Sequence, residues 1–391
     1  MKRQGTIHVG LSAHLLSQQA GYRSGGIHNY IRQIIRYLAQ AHSSFQFTVF
    51  TGQTREDVNS AHDLLAWRSS RWPTNRPAAR IAWEQFAQPW SLLRADVELV
   101  HALAFVSPLA TWLPTVVTVH DLSFLRYPDR FRPINRFYLG RMTRLSCRRA
   151  RRIIAVSQAT ADETMRLLDV PAQKLAVIPH GVEHSRFRPL PAYQVRAFRR
   201  DKGLPDRFVL FLGTLEPRKN LVTLVEAYGS SEAAKLRIPL FVAGGKGWYY
   251  QEIFQRVDEL ELTDVVHFPG YVPDAELPLW YNAAECFVYP SLYEGFGMPL
   301  LEAMACGTPV IASDASCMPE VVGDAGLLVA PNDMSALSAS LDRLLKDADL
   351  QADLSGRGRA RAAAFTWEAA AQATIECYDC ALEADGDIEA R

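Results

Sequence analysis

Twelve short apolar runs, in two series of six, limit what this 391-residue chain can fold into more than any other feature. The first series falls near residues 6–11, 46–51, 98–102, 115–119, 152–156 and 175–178. The second comprises FVLFLG (208–213), PLFVAGG (239–245), VVHFPG (265–270), CFVYP (286–290), PVIAS (309–313) and LLVA (327–330). Unbroken runs of this length read as strands buried on both faces, as in parallel sheets. Helical patterns fall between them, notably at 27–41 and 134–149, and strands alternating with helices predict an α/β fold. The gaps are too uneven for a solenoid, so two doubly wound domains account for the two series. Residues 183–206 carry three prolines and many charges and read as a linker with a short helix. Beyond residue 333 the pattern is helical to about 384, and the tail DGDIEAR reads as frayed.

Apolar residues make up 48% of the chain, enough for sizeable cores. No apolar run approaches the roughly 18 residues that a membrane span needs, and MKRQGTIHVG has no signal-peptide stretch. Six scattered cysteines form no disulfide framework. Cys377 and Cys380 make a lone CxxC on a helical pattern, without a second pair for zinc. A cytoplasmic protein is expected. The formal net charge of zero conceals an asymmetry: residues 1–185 hold 23 Lys+Arg against 12 Asp+Glu, and residues 186–391 hold 19 against 30. Ten arginines lie between Arg126 and Arg152. No zinc finger, RNP-like motif or basic helix pair accompanies them, so nucleic acid is not expected, and peripheral contact with an anionic membrane is.

The segment PSLYEGFGMPLLEAMACGTPVIAS carries most of the chemistry. CFVYP reads as a strand, Pro299 as the first position of a helix, and Gly307 as its stop. Gly295 and Gly297 let the intervening loop press against a ligand, and the helix start favours an anion. Glu294 is expected free in the loop to accept from sugar hydroxyls. Glu302 is expected in the first helical turn, facing the same mouth. A diphosphate flanked by two polyols, that is, a nucleotide-sugar, suits these parts. In FLGTLEPRKNLVTLVEAY, Arg218 and Lys219 stand at a helix start that the dipole makes unfavourable for cations, and a bound diphosphate would explain them.

These motifs resemble the retaining glycosyltransferases of family 4, over nearly the whole chain and most densely from about 205 to 330. The resemblance implies a GT-B fold: two Rossmann-like domains facing across a cleft, with a C-terminal helix crossing back. The corresponding bounds are 1–185 for an acceptor-side domain, 186–206 for a linker, 207–365 for a donor-side domain and 366–391 for the returning helix. It implies Glu294 on the donor sugar, Glu302 on the ribose, and Arg218 and Lys219 on the diphosphate. Gly295, Phe296, Gly297, Met298 and Pro299 would surround the donor, with Gly245 near the nucleotide and the backbone of Tyr271 and Val272 at the base. Many relatives have Arg where this chain has Thr214.

His120 ends a strand-like run in TVVTVHDLSF, and the resemblance places it beside the donor sugar and leaving phosphate. Asp121 is expected to orient its ring. Gly25 and Gly26 precede a helix and could offer N–H groups to phosphate or acceptor. VIPHGVEHSRF matches a junction segment of the family, with His180 and Glu183 in place of Asn and Asp, and neither is assigned a catalytic role. The GxGxxG fingerprint is absent, and AGGKGW has Leu240 where a Walker loop needs glycine. The DxD-like pairs, Asp347/Asp349 and Asp385/Asp387, lie in helical or tail regions, so no metal and no cofactor are expected. WEQFAQPW at 83–90 and HDLSFLRYPDRF look most like bacterial mannosyl- and rhamnosyltransferases of polysaccharide assembly. GDP-mannose is the first donor expectation, with UDP- and dTDP-sugars behind it, and a glycan or lipid-linked acceptor. A non-catalytic carbohydrate-binding relative is the alternative. Trp90, Trp112 and Phe124 are expected in the core.

Overall fold

The computed structural model describes residues 6–16, 25–41, 44–52, 65–74, 76–127 and 133–383. It divides into two compact units, one of residues 1–181 with 367–391 and one of residues 182–366. The first is built on a seven-stranded sheet of β1 (Ile7–Ser12), β2 (Phe45–Thr51), β3 (Leu65–Ser69), β4 (Leu99–Ala102), β5 (Thr115–Val119), β6 (Arg152–Ala155) and β7 (Leu175–Val177). Every pairing is parallel, in the order β3-β2-β1-β4-β5-β6-β7. The winding reverses between β1 and β4, and ligands of such sheets bind outside the strand carboxyl ends at that reversal. β3 was absent from the expected series: LAWRS is an edge strand with two of five residues half-buried and the rest exposed, so no apolar run announces it.

The second unit has β8 (Val209–Leu212), β9 (Leu240–Ala243), β10 (Val266–Gly270), β11 (Cys286–Tyr289), β12 (Val310–Ser313) and β13 (Leu327–Val329). They pair in parallel in the order β10-β9-β8-β11-β12-β13, reversing between β8 and β11. β8, β11 and β12 are buried at every residue, as their unbroken apolar sequences require.

The helix Trp367–Glu383 belongs to the first unit, packing on the helix Gly26–Gln40 and against β5 and β6. Tyr378 anchors it: its hydroxyl meets His101 Nδ1 at 2.7 Å, and His101 Nε2 meets Thr118 Oγ1 at 2.8 Å. Cys377 is buried on this helix and Cys380 exposed, both free thiols. Residues 186–206 are not a free linker. They contain the helix Ala192–Lys202 inside the second unit, where Phe198 packs on Trp280 and Phe187 on Tyr281. The aromatic anchors override the polar composition. Trp90 and Trp112 also depart from expectation, being exposed at the surface, whereas Phe124 lies in the core below β5 and β6. The tail 384–391, with Asp385 and Asp387, lies outside the described residues. Asp347 caps the helix Ala348–Ala363 by accepting from Leu350 N at 2.9 Å.

Candidate active site

At the β8/β11 reversal two loops meet. The one after β8 is shaped by Gly244 in the loop after β9: its φ is +150°, and an added Cβ would lie 1.8 Å from the Gly213 carbonyl oxygen. Only glycine permits that approach. The Gly245 carbonyl then accepts from Leu215 N at 2.9 Å, pinning the chain just before Glu216. Gly245 thus serves this site through its backbone. The loop after β11 is joined to the first by Leu292 N donating to Arg218 O at 2.9 Å, and Ser316 Oγ donates to Glu294 O at 2.6 Å. Gly297, at φ +86°, turns the chain into the helix Met298–Ala305.

The side chains fixed by these loops form a charge-balanced cluster. Glu294 Oε2 accepts from Arg218 Nη1 at 2.9 Å and Oε1 accepts from Lys219 Nζ at 2.6 Å. Lys219 also donates to the Tyr289 hydroxyl at 2.5 Å, and Arg218 Nε donates to Glu216 Oε1 at 3.0 Å. Contrary to the expectation of a free Glu294, its carboxylate is engaged by both cations, and the two cations do not require a diphosphate to explain them. They sit in a 3₁₀ turn, Pro217–Lys219, and Glu216 and Glu294 supply their counter-charges. Burial works to raise the Glu294 carboxyl, but Arg218 and Lys219 outweigh it and hold it at about 2. Two of the three Lys219 ammonium hydrogens are taken.

Glu302 differs in place and state. Pro299 is the second helical residue, not the first, so Glu302 falls in the second turn. Its Oε2 accepts from the Tyr281 hydroxyl at 2.9 Å. Burial raises its carboxyl to about 7 despite that bond, with Asp274 adding to the rise. Of the other residues expected around a donor, Gly295 and Phe296 are buried in the loop and Phe296 packs near Phe365. Met298 opens the helix, Val272 is buried, and Tyr271 is exposed after β10.

In the first unit His120 follows β5 and is 5% exposed. Nε2 lies 2.8 Å from the Leu103 carbonyl, which can only accept, so Nε2 carries the proton. Nδ1 is then a buried lone pair without a protein partner. Burial lowers the imidazole to about 4, against the Leu103 bond and Asp121, so the ring is neutral. The Asp121 carboxylate does not hold it: Oδ1 accepts from Ser123 N at 2.9 Å and from Ser123 Oγ at 2.6 Å. Gly25 precedes the helix that begins at Gly26 and its carbonyl accepts from Asn29 N. Sequence reasoning passed over Glu84 and His14, a buried pair at the end of β1. A carboxylate among the aromatics of WEQFAQPW was the signal available.

Residues 24–186 match the family described as Glycosyltransferase Family 4, and residues 195–361 match Glycosyl transferases group 1. The chain is 32% identical over 370 residues to the O-antigen chain mannosyltransferase B of Escherichia coli, covering 91% of this chain and 96% of that protein. It belongs to the group 1, family 4 glycosyltransferases. Sucrose-phosphate synthase from Thermosynechococcus elongatus superposes with a TM-score of 0.76 at 26% identity, over 97% of this glycosyltransferase and all of that chain. Anabaena Alr3699/HepE in complex with UDP-glucose has a TM-score of 0.75 at 19% identity, over 95% and 99% of the two chains, a likeness of fold. The GT-B architecture follows, with the β8/β11 reversal in its carboxyl-terminal sheet.

Proposed function

We propose that this glycosyltransferase moves mannose from GDP-mannose to a hydroxyl of a glycan or lipid-linked acceptor, with retention at the anomeric carbon and without a divalent metal. The observation that carries this reading is the Glu216–Arg218–Lys219–Glu294 cluster at the β8/β11 reversal, in a chain close to an O-antigen mannosyltransferase. Glu294, held rigidly by two cations, accepts from sugar hydroxyls. Arg218 and Lys219 meet the negative charge that grows on the departing diphosphate, the work a metal ion does elsewhere. Glu302 takes the ribose hydroxyls, with Gly297, Met298 and Pro299 at the helix start. Front-face departure and attack, with the diphosphate as base, suits a site whose loop carboxylates, Glu216 and Glu294, are already committed to cations.

A donor panel tests this: thermal shift and hydrolysis with GDP-mannose, UDP-glucose, UDP-GlcNAc and dTDP-rhamnose, with and without EDTA, and NMR of the anomeric proton of the product. Stabilisation by GDP-mannose alone, indifferent to EDTA and giving the retained anomer, is expected. Response to another nucleotide-sugar would reassign the donor, and an inverted product would remove the mechanism.

Peripheral membrane contact is part of the same reading. The helix Pro133–Arg149 exposes Phe137, Arg141, Arg144 and Arg148 at helical spacing, an aromatic-and-arginine stripe suited to anionic headgroups. Changing Arg141, Arg144 and Arg148 to Gln should abolish co-sedimentation with phosphatidylglycerol vesicles, and unchanged binding would remove the contact.

A further inference from the structure

Glu84 and His14 form a second buried polar site, at the β1/β4 reversal of the first unit. His14 stands two residues beyond the end of β1, and Glu84 lies in the π-helical turn Trp83–Ala87. Such turns are rare and recur at functional sites. Glu84 is 2% exposed. Its Oε2 is 3.7 Å from His14 Nε2, too far for a hydrogen bond, and its Oε1 has no partner. Ser12 and Gln88 brace the base of the site: Gln88 Nε2 donates to Ser12 Oγ at 2.8 Å, and Ser12 Oγ lies 3.4 Å from His14 Nδ1. Buried polar groups are nearly always satisfied, so the orphaned Glu84 oxygen, 2% exposed in a π-helical turn, asks for a ligand.

The charge states choose its chemistry. Burial raises the Glu84 carboxyl to about 8, with Arg80 opposing, and burial with Arg80 lowers His14 to about 3. At neutral pH the site offers a carboxylic acid O–H, a carbonyl-type acceptor and a neutral imidazole. A sugar hydroxyl can accept from the first and donate to the last.

We propose that Glu84 and His14 bind a hydroxyl-bearing ring of the neutral sugar acceptor at the carboxyl end of β1. The assignment rests on the glycosyl-transfer reading above and names the residues that would select its acceptor. Glu84→Gln keeps the shape and removes the acid proton, and His14→Phe removes the imidazole nitrogens.

The test is saturation-transfer NMR and titration of the full chain with methyl glycosides of mannose, glucose, galactose and rhamnose, alongside the nucleoside diphosphate selected by the donor panel. One glycoside should bind the unaltered protein. Both variants should weaken it at least tenfold and leave the nucleotide affinity within twofold. A glycoside bound equally by variants and parent, or no glycoside bound by the parent, overturns the assignment while nucleotide binding keeps the transferase reading intact. Loss of all nucleotide binding in the parent would sink both. Melting temperatures supply a second check: residues kept for a ligand predict that Glu84→Gln melts no lower than the parent, and a large fall would mark a purely structural carboxyl.

Discussion

The two reversal points of the molecule are built on opposite electrostatic plans. In the second unit, Arg218 and Lys219 are matched one for one by Glu216 and Glu294, every contact is short, and the carboxylate stays ionised. In the first unit, Glu84 and His120 are buried and neutral with one unpartnered atom each, and the His14 side chain is buried and neutral beside Glu84. Preorganised charge suits a step in which charge develops, because the dipoles need not reorganise. Neutral orphans suit hydroxyls, which both donate and accept. The same sheet topology therefore presents a charged workplace in one unit and a hydroxyl-binding one in the other.

The most severe way to break the charged plan is to remove one partner. Lys219→Met leaves Glu294 buried beside Arg218 alone, and breaking a buried pair costs about 3–5 kcal/mol. Urea unfolding should show that loss, and the rate constant for transfer should fall roughly 10²–10³-fold. Pairing Lys219→Met with Glu294→Met should restore most of the stability and none of the activity. Equal loss in the single and double variants would mean that the pair is not coupled. The sign of the pH effect follows from the depressed carboxyl: stability from Glu294 is present above about 4.5 and lost as pH falls toward 2. Lys219→Met should therefore flatten the acid limb of the stability profile.

Glu302 gives a smaller and opposite effect. Its raised carboxyl means that the fold favours the protonated form, so its contribution is full below about 4.5 and is lost as pH rises through about 7. A ribose diol prefers the carboxylate. Nucleotide affinity should tighten about tenfold between pH 6 and pH 8, the change expected for one group titrating near 7. Glu302→Gln should bind more weakly and show a flat profile by calorimetry. A slope that survives the substitution would move the titrating group elsewhere.

The sequence was most readable where burial is two-sided. Runs such as VLFL and CFVY have no polar face to mislead, and all twelve expected strands are present. It was least readable where partners come from far along the chain. That Glu294 is clamped by cations 75 and 76 positions away depends on the β8/β11 adjacency, which no local pattern carries. Phe187 and Phe198 hid inside a proline-rich, charged stretch because their partners Tyr281 and Trp280 lie on another helix. β3 failed for want of burial. The helix begins one residue earlier than expected, at Met298, so Glu302 falls in its second turn, and its partner Tyr281 comes from another helix.

The mildest test concerns Asp121, beside His120 in sequence and expected to steer its ring. Its carboxylate instead closes a turn onto Ser123, whose N–H and hydroxyl both donate to Oδ1, at the start of the short helix Ser123–Arg126. Losing a side-chain turn bond of this kind costs about 0.5–1.5 kcal/mol. His120 keeps its orientation through the Leu103 carbonyl, and its Nδ1 lone pair remains available. Asp121→Ala should lower stability by about 1 kcal/mol and leave the transfer rate within about threefold, because no bond to the imidazole is removed. A hundredfold fall in rate at unchanged stability would mean that Asp121 acts on the ring during turnover. His120 would then belong to the charged plan of the second unit, and the contrast between the two reversal points would fail at this residue.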